Sequence, residues 1–432
     1  MAEILPLRAW RYSDKLNIPM EELVSPLFDV AKPDQLKKLY LKPYNSIHLT
    51  LPGKELEGTE PSKVLNAWKI KEIILQDEEP GIYVYYQFFK LQNSHKEYCR
   101  KGFIAQIKAY DWKEKAILRH EDTIASSVED RIKILRETQI QSSPTHGLYH
   151  DDSFQLESYM DEAIQTPLYD IEDYQGVREV LTRITDHKII SKFINLIDSK
   201  SIILADGHHR LQAAIEYKNL CKSQNPNHDG TEAYNYHMMY FSNSSSDNIK
   251  ILPTHRLFKN LNLNKEDLLN QAKKYFNISK LNKYEDANVE LIKSKWQYIL
   301  ITKNSAYHLT FKTELFHEFA NSIPQIVKEL DLSVLHFFFV EKVLGIPLEQ
   351  QRFSGSIEYE SNVKICQEKL NTNEVNLAIL TRALKMDEIL NVCDSGYTLP
   401  QKSTYFYPKL LSGLLFGSIR EKEFKLPYHN FQ

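Results

Sequence analysis

Cysteine is sparse in this 432-residue chain: Cys99, Cys221, Cys366 and Cys393, with no CxxC pair among them. That spacing excludes a zinc ribbon and suits a reducing compartment, with the four thiols as small core residues. Long hydrophobic runs are missing too. The most apolar stretch, LHFFFVEKVLGI, is short and carries charges, well below the roughly 18 residues that span a bilayer. The opening MAEILPLRAWRYSDK has a charge at its third residue and no apolar core, so no signal peptide and a cytoplasmic location are expected. Neither sign of charge dominates. The formal net charge is −3, which argues against general binding to nucleic acid or a membrane surface. GxGxxG, GxSxG, HExxH and a complete Walker A are all absent. Glycine is scarce, 13 residues in all, so each marks a place where the backbone needs something unusual.

Aromatics are plentiful, with 25 Tyr and 20 Phe, so core and pockets should be aromatic-rich. The length calls for two or three domains. EPGIYVYYQFFKL alternates like a strand, and YCRKGFIAQIKAYDW fits its antiparallel neighbour. SIILA and YNYHMMYFSN are further strands. SSVEDRIKILRETQIQ is helical, capped by Ser126 or Ser127. RLQAAIEYKNLCK is a helix, and QGVREVLTRITDHKIISKFINLIDSK reads as one or two more. Residues 34–41 suit a helix after Pro33, and 46–51 a strand. The fold class expected is α/β in the mixed α+β sense. A mixed-sheet main domain would occupy 1–250, with a small inserted α/β subdomain at 255–328. A section at 329–432 would return to the main domain.

Five stretches concentrate polar chemistry. In IILADGHHRLQAAI a buried strand runs through Asp206 and Gly207 into His208, His209 and Arg210, and then into a helix. Backbone N–H groups and the macrodipole at a helix start favour an anion. A cation in that first turn is unfavourable for the helix itself, so Arg210 makes sense facing a phosphate or carboxylate. Asp206 could orient a histidine or act as a base; a capping Asp and a surface-paired Arg are the plain alternative. In ILRHEDT, Glu121 is a candidate base or Mg²⁺ ligand, or part of a polar turn. ILPTHRLF offers His255 and Arg256 as a second anion contact. LPQKSTYFYPK offers Lys402 and Lys409 as phosphate clamps, without the upstream glycines of a P-loop. In VSPLFDV, Asp29 follows a Pro-containing turn and is a candidate site carboxylate or a turn-stabilising one.

The order of VSPLFDV, NSIHLTLP, IYVYYQ, GFIA, HEDT with EDR, SSP, ADGHHR, LPTHR and PQKSTYFYPKLLSG resembles the family called domain of unknown function 1015, across nearly the whole chain. One departure is Phe28, where that family usually has Tyr. The DGHHR element is also similar to the phosphate-binding motif of the ParB and sulfiredoxin-like superfamily, which includes free-serine kinases. That likeness implies a main domain of ParB/sulfiredoxin-like type, phosphate contact by Gly207, His208, His209 and Arg210, and Asp206 near the acceptor. It also implies a small-molecule kinase without a P-loop, moving phosphate from ATP or ADP to a hydroxyl, free serine being one candidate, with Mg²⁺. Partners would then be nucleotide and a small-molecule substrate. The alternative is a nucleotide-binding regulatory protein of ParB-like type with little or no turnover. A third reading is hydrolase or isomerase chemistry on a phosphorylated metabolite.

Overall fold

Alternation in IYVYYQFFK decides which side chains meet on each face of the main sheet. In the computed structural model this segment is the strand Ile82–Lys90. Ile82, Val84 and Tyr86 join one buried cluster, with Phe103, Phe193, Leu204 and Leu211. Tyr83 and Tyr85 join the other, with Leu181, Met238, Tyr240 and Leu411. Both faces are therefore covered, which is why the strand lacks the polar-out positions of a half-exposed sheet. The structure describes residues 1–52, 60–91, 94–261, 264–283, 287–351, 354–399 and 402–424. Pro400 and Gln401 of the LPQKST stretch lie outside them.

The chain divides into two units. Unit 1 comprises Met1–Arg119, Thr123–Lys250 and Pro408–Gln432. Its nine-stranded sheet runs Ile117–Arg119, Ile202–Asp206, Thr145–Tyr149, Tyr236–Asn243, Glu97–Lys108, Ile82–Lys90, Arg178–Ile184, Tyr169–Glu172, with Ile4–Leu5 also on the 97–108 strand. Two pairings are parallel, 202–206 with 117–119 and 236–243 with 145–149. The other pairings of this sheet are antiparallel. The helices His187–Asp198 and His208–Gln224 contribute Ile190, Phe193, Ile197, Leu211 and Ile215 to the first cluster. Leu410, Leu411, Leu414 and Leu415 of the returning C-terminal segment cover the second.

Unit 2 comprises His120–Asp122 and Ile251–Tyr407. Its six-stranded antiparallel sheet runs Phe276–Lys280, Ser305–Phe311, Gln297–Thr302, Leu377–Leu380, His255–Phe258, Ile357–Glu360. Residues set apart at 329 in the sequence reading thus share one sheet with 255–328: the strands 357–360 and 377–380 pair with 255–258. A π-helix, Leu335–Val343, covers one face. Such helices are rare and concentrate at functional sites.

Three local expectations change. Arg178–Ile184 is a strand paired with 82–90, not helix; Val180, Leu181 and Ile184 fit either period, and the sheet decides. Ile47–Thr50 is a helical turn rather than a strand. The helix Ala125–Thr138 begins after Ile124 with no side-chain cap, so neither Ser126 nor Ser127 plays that part. No helix among the described residues is long and apolar enough to cross a membrane.

Candidate functional site

Strand Ile202–Asp206 feeds helix His208–Gln224 through Gly207, whose φ is +90°. That left-handed conformation favours glycine. A Cβ there would also lie 2.6 Å from Thr145 Cγ2 and 2.9 Å from Arg210 Nη2. The turn brings the helix start directly against the strand end, and the dipole and first-turn N–H groups make that start attractive to an anion.

Arg210 is buried at 8% exposure. Its Nη2 donates to Asp206 Oδ2 at 2.8 Å, and its Nη1 to Ser143 Oγ at 3.2 Å and to the Pro144 carbonyl. Burial draws the guanidinium below its usual range, and Asp206 and then Asp29 oppose the shift. Lys409 Nζ, arriving from the C-terminal segment, forms an ion pair with Asp206 Oδ1. Both carboxylate oxygens of Asp206 therefore carry cations. His209 Nε2 accepts the Ile124 N–H at 3.0 Å, which ties the first helical turn to the start of helix 125–138. His208 is buried. Asp29 is exposed. Beside it the Phe28 ring lies 4.0 Å from the Arg131 guanidinium, so the ring that lacks a hydroxyl serves as a cation–π platform.

A buried polar chain supports Lys409. Tyr85 Oη donates to Glu179 Oε2 at 2.6 Å, and Gln87 Nε2 to Glu179 Oε1 at 3.0 Å and to the Lys409 carbonyl at 3.1 Å. Arg100 Nε donates to Gln87 Oε1 at 3.0 Å, and Arg100 Nη2 to the Pro408 carbonyl at 2.6 Å. Arg100 is 1% exposed and Gln87 fully buried. His146, with Nε2 2.6 Å from Ser242 Oγ, is held neutral chiefly by burial and then by Arg100.

Burial pushes the Glu179 carboxyl up from 4.5 to about 8, against the donors of Tyr85 and Gln87. Between those values the folded chain keeps a proton that the unfolded chain has lost, so stability falls as pH rises through that window. The buried His146 and His237, lowered from 6.5 mainly by burial, act oppositely, but only below about 6.5. Between about pH 6.5 and 8 the Glu179 slope is therefore the one expected. Glu179→Gln should flatten the fall in melting temperature across that interval; an unchanged slope would refute the assignment.

In unit 2, the Glu121 carboxylate accepts the Lys402 N–H at 3.2 Å, the Thr404 N–H at 2.9 Å and the Thr404 hydroxyl at 3.0 Å. Lys402 is exposed, with φ +56°, and its carbonyl accepts from Thr254 Oγ1 at 2.7 Å. His255 and Arg256 are both 0% exposed. Arg256 donates to the Thr254 carbonyl, to Thr254 Oγ1 at 3.1 Å, and through Nε to His336 Nε2 at 3.2 Å.

The sequence-derived candidates thus form two groups. Asp29, Asp206, Gly207, His208, His209, Arg210 and Lys409 lie in unit 1; Glu121, His255, Arg256 and Lys402 lie in unit 2. Among the described residues no three His, Cys, Asp or Glu side chains gather as a metal cage. A Mg²⁺ ion needs only one or two carboxylates when it arrives with phosphate oxygens, and exposed Asp29 is compatible with that. Sequence reasoning missed Arg100, Gln87, Glu179 and His146. Two signals pointed to parts of this set: IYVYYQ contains Tyr85 and Gln87, and SSP supplies the Ser143 and Pro144 that hold Arg210.

Fold and turn together define a mixed α/β protein in which a strand of the main sheet enters a helix through the Gly207 turn. The chain belongs to the family described as protein of unknown function (DUF1015), whose sequence model matches residues 4–333. No curated protein matches it. Among solved structures it is similar to a conserved hypothetical protein from Pyrococcus furiosus, at 12% identity and a TM-score of 0.37, covering 71% of this chain and 93% of that one. A variant of free serine kinase in complex with AMP is similar at 14% identity and a TM-score of 0.38, covering 72% and 92%. Another such variant, in complex with ADP, has 14% identity and a TM-score of 0.37 over the same shares.

Proposed function

We propose that this protein is a phosphotransferase without a P-loop, moving phosphate from ATP or ADP to the hydroxyl of a small molecule, with free serine the first acceptor to try. The observation that carries this reading is the turn at 206–210, where a helix start, a buried arginine and Lys409 converge on one carboxylate. Phosphoryl transfer asks little of a protein beyond positioning and charge neutralisation. Gly207 lets the backbone of the first turn approach a phosphate. His208, His209, Arg210 and Lys409 supply donors and positive charge. Asp206, with a cation on each oxygen, is the positioning residue that aims Arg210 and Lys409. Asp29, exposed and felt at Arg210, is the acceptor's base or a magnesium ligand. Mg²⁺ bound with the nucleotide would neutralise phosphate charge. Glu121 and Lys402, which are hydrogen-bonded to each other within unit 2, are left out of this site. Arg256 and His255, wholly buried against Thr254, His336 and Thr381, are left out of phosphate contact.

The test is purified protein with ATP or ADP, Mg²⁺ and a panel of amino acids and polyols, read by phosphorylated product and by melting temperature. Nucleotide at 100 times its Kd should stabilise the fold by about 2.7 kcal/mol. Lys409→Met should weaken nucleotide binding by about tenfold or more, the worth of one charge-assisted contact. A melting shift without product selects the nucleotide-binding regulatory reading. Neither shift nor product overturns both.

A further inference from the structure

Unit 2 contains a cavity of about 480 Å³, within the range of small-molecule sites. Phe319, Phe337, Tyr359 and Tyr397 form aromatic walls, and His336 and Gln351 line a polar side. Phe319 and Phe337 are stacked, with centroids 4.7 Å apart. The polar side has a fixed direction. A guanidinium only donates, so His336 Nε2, 3.2 Å from Arg256 Nε, is the acceptor. The His336 proton then sits on Nδ1 and is given to Gln351 Oε1 at 2.6 Å. Gln351 Nε2 in turn donates to the carbonyls of His336 and Ile346.

Behind this relay, Arg256 is a buried cation without an ion-pair partner. Among the described residues no carboxylate comes within salt-bridge distance of it, and its Nη2 has no hydrogen-bond partner. Glu121 acts on it only through space. Burial draws its pKa down to about 10, so it stays charged at neutral pH. The His336 ring, drawn down to about 3 by burial and then by Arg256, stays neutral and cannot share that charge. Tyr359, a cavity wall, lies with its ring 5.4 Å from the guanidinium. An uncompensated buried charge is costly, and a ligand of opposite sign offsets that cost. Glu349, the one carboxylate among the lining residues, is exposed.

We propose that this cavity of unit 2 is a binding site for a small aromatic carboxylate. The ring lies among Phe319, Phe337, Tyr359 and Tyr397, and the acid group sits toward the Arg256–His336 side. The walls select a planar ring and the buried cation selects the sign. This site does not depend on the phosphotransferase reading.

The test uses the full-length protein and three probes, phenylacetate, phenylacetamide and acetate, followed by calorimetry and ligand-observed NMR. Phenylacetate should bind about tenfold or more tightly than phenylacetamide, the usual scale of one buried charge interaction, and acetate should not bind. Arg256→Gln should erase that preference. Phe337→Leu, a wall substitution that gives up a cation–π contact with the exposed Lys342 ammonium 5.0 Å from the ring, should weaken both aromatic probes and keeps the test usable should the Arg256 variant misfold. Equal affinity for acid and amide, or no binding of either, overturns the proposal. Displacement of phenylacetate by ATP also overturns it, because the cavity would then belong to the nucleotide site. A nucleotide-induced melting shift in the same samples reports on the 206–210 turn independently, so either reading can fail alone.

Discussion

Arg100→Met should destabilise unit 1 by roughly 2–4 kcal/mol, the cost of leaving two buried acceptors without their donors. Methionine fills much of the volume but donates nothing. It leaves Gln87 Oε1 and the Pro408 carbonyl without the donors that now reach them at 3.0 Å and 2.6 Å. It also removes the cation 5.6 Å from the Tyr240 ring. The damage should reach the candidate site, because the same chain of bonds fixes the Lys409 carbonyl. Hydrogen exchange at residues 408–418 should rise well before the rest of unit 1 opens. Nucleotide-dependent stabilisation should weaken with it. Arg100→Lys keeps the charge but cannot reach both acceptors, and should fall between. A loss under about 1 kcal/mol for the Met variant, with exchange unchanged at 408–418, would show that the network is not what holds that segment.

Gly207→Ala is the second large effect expected. The φ of +90° alone strains any side chain, and here the new methyl meets Thr145 Cγ2 at 2.6 Å. Strain and overpacking together should cost about 2–4 kcal/mol. Gly176 separates the two terms. Its φ is +76° with nothing within 4 Å of a built Cβ, so Gly176→Ala should cost only about 1 kcal/mol. The difference between the two variants in denaturant unfolding measures the crowding at the turn. Equal effects would mean that the close approach of Thr145 and Arg210 does not matter. Gly207→Ala should also abolish nucleotide-dependent stabilisation, because Arg210 Nη2 lies 2.9 Å from the added carbon.

Much of this was legible in the sequence. ADGHHR announced a strand, a turn and a helix, and the structure has them at 202–206, 207 and 208–224. Helix 125–138 and the strands 82–90, 97–108 and 236–243 followed from periodicity. The strand 178–184 did not, because its apolar spacing serves both periods and only pairing with 82–90 resolves it. Partnerships across the chain were hidden as well. Arg100 looks like one more surface cation in EYCRKGF, and Glu179 like a helix acid in VREVL. Each is 1% exposed, and the reason lies in pairing partners 13 and 92 residues away. Local pattern carries no record of such distances.

The route of the chain has a consequence for biogenesis. Unit 1 is left at Lys250 and rejoined at Pro408, and all of 251–407 is made in between. At ordinary synthesis rates that interval lasts roughly 10–30 s. Throughout it the Asp206 carboxylate has its arginine but not its lysine. The leucines that cover one face of the main sheet, 410, 411, 414 and 415, have not yet been made. A nascent main sheet with one uncovered apolar face is open to association with other chains, and the turn at 206–210 is completed only when Lys409 arrives.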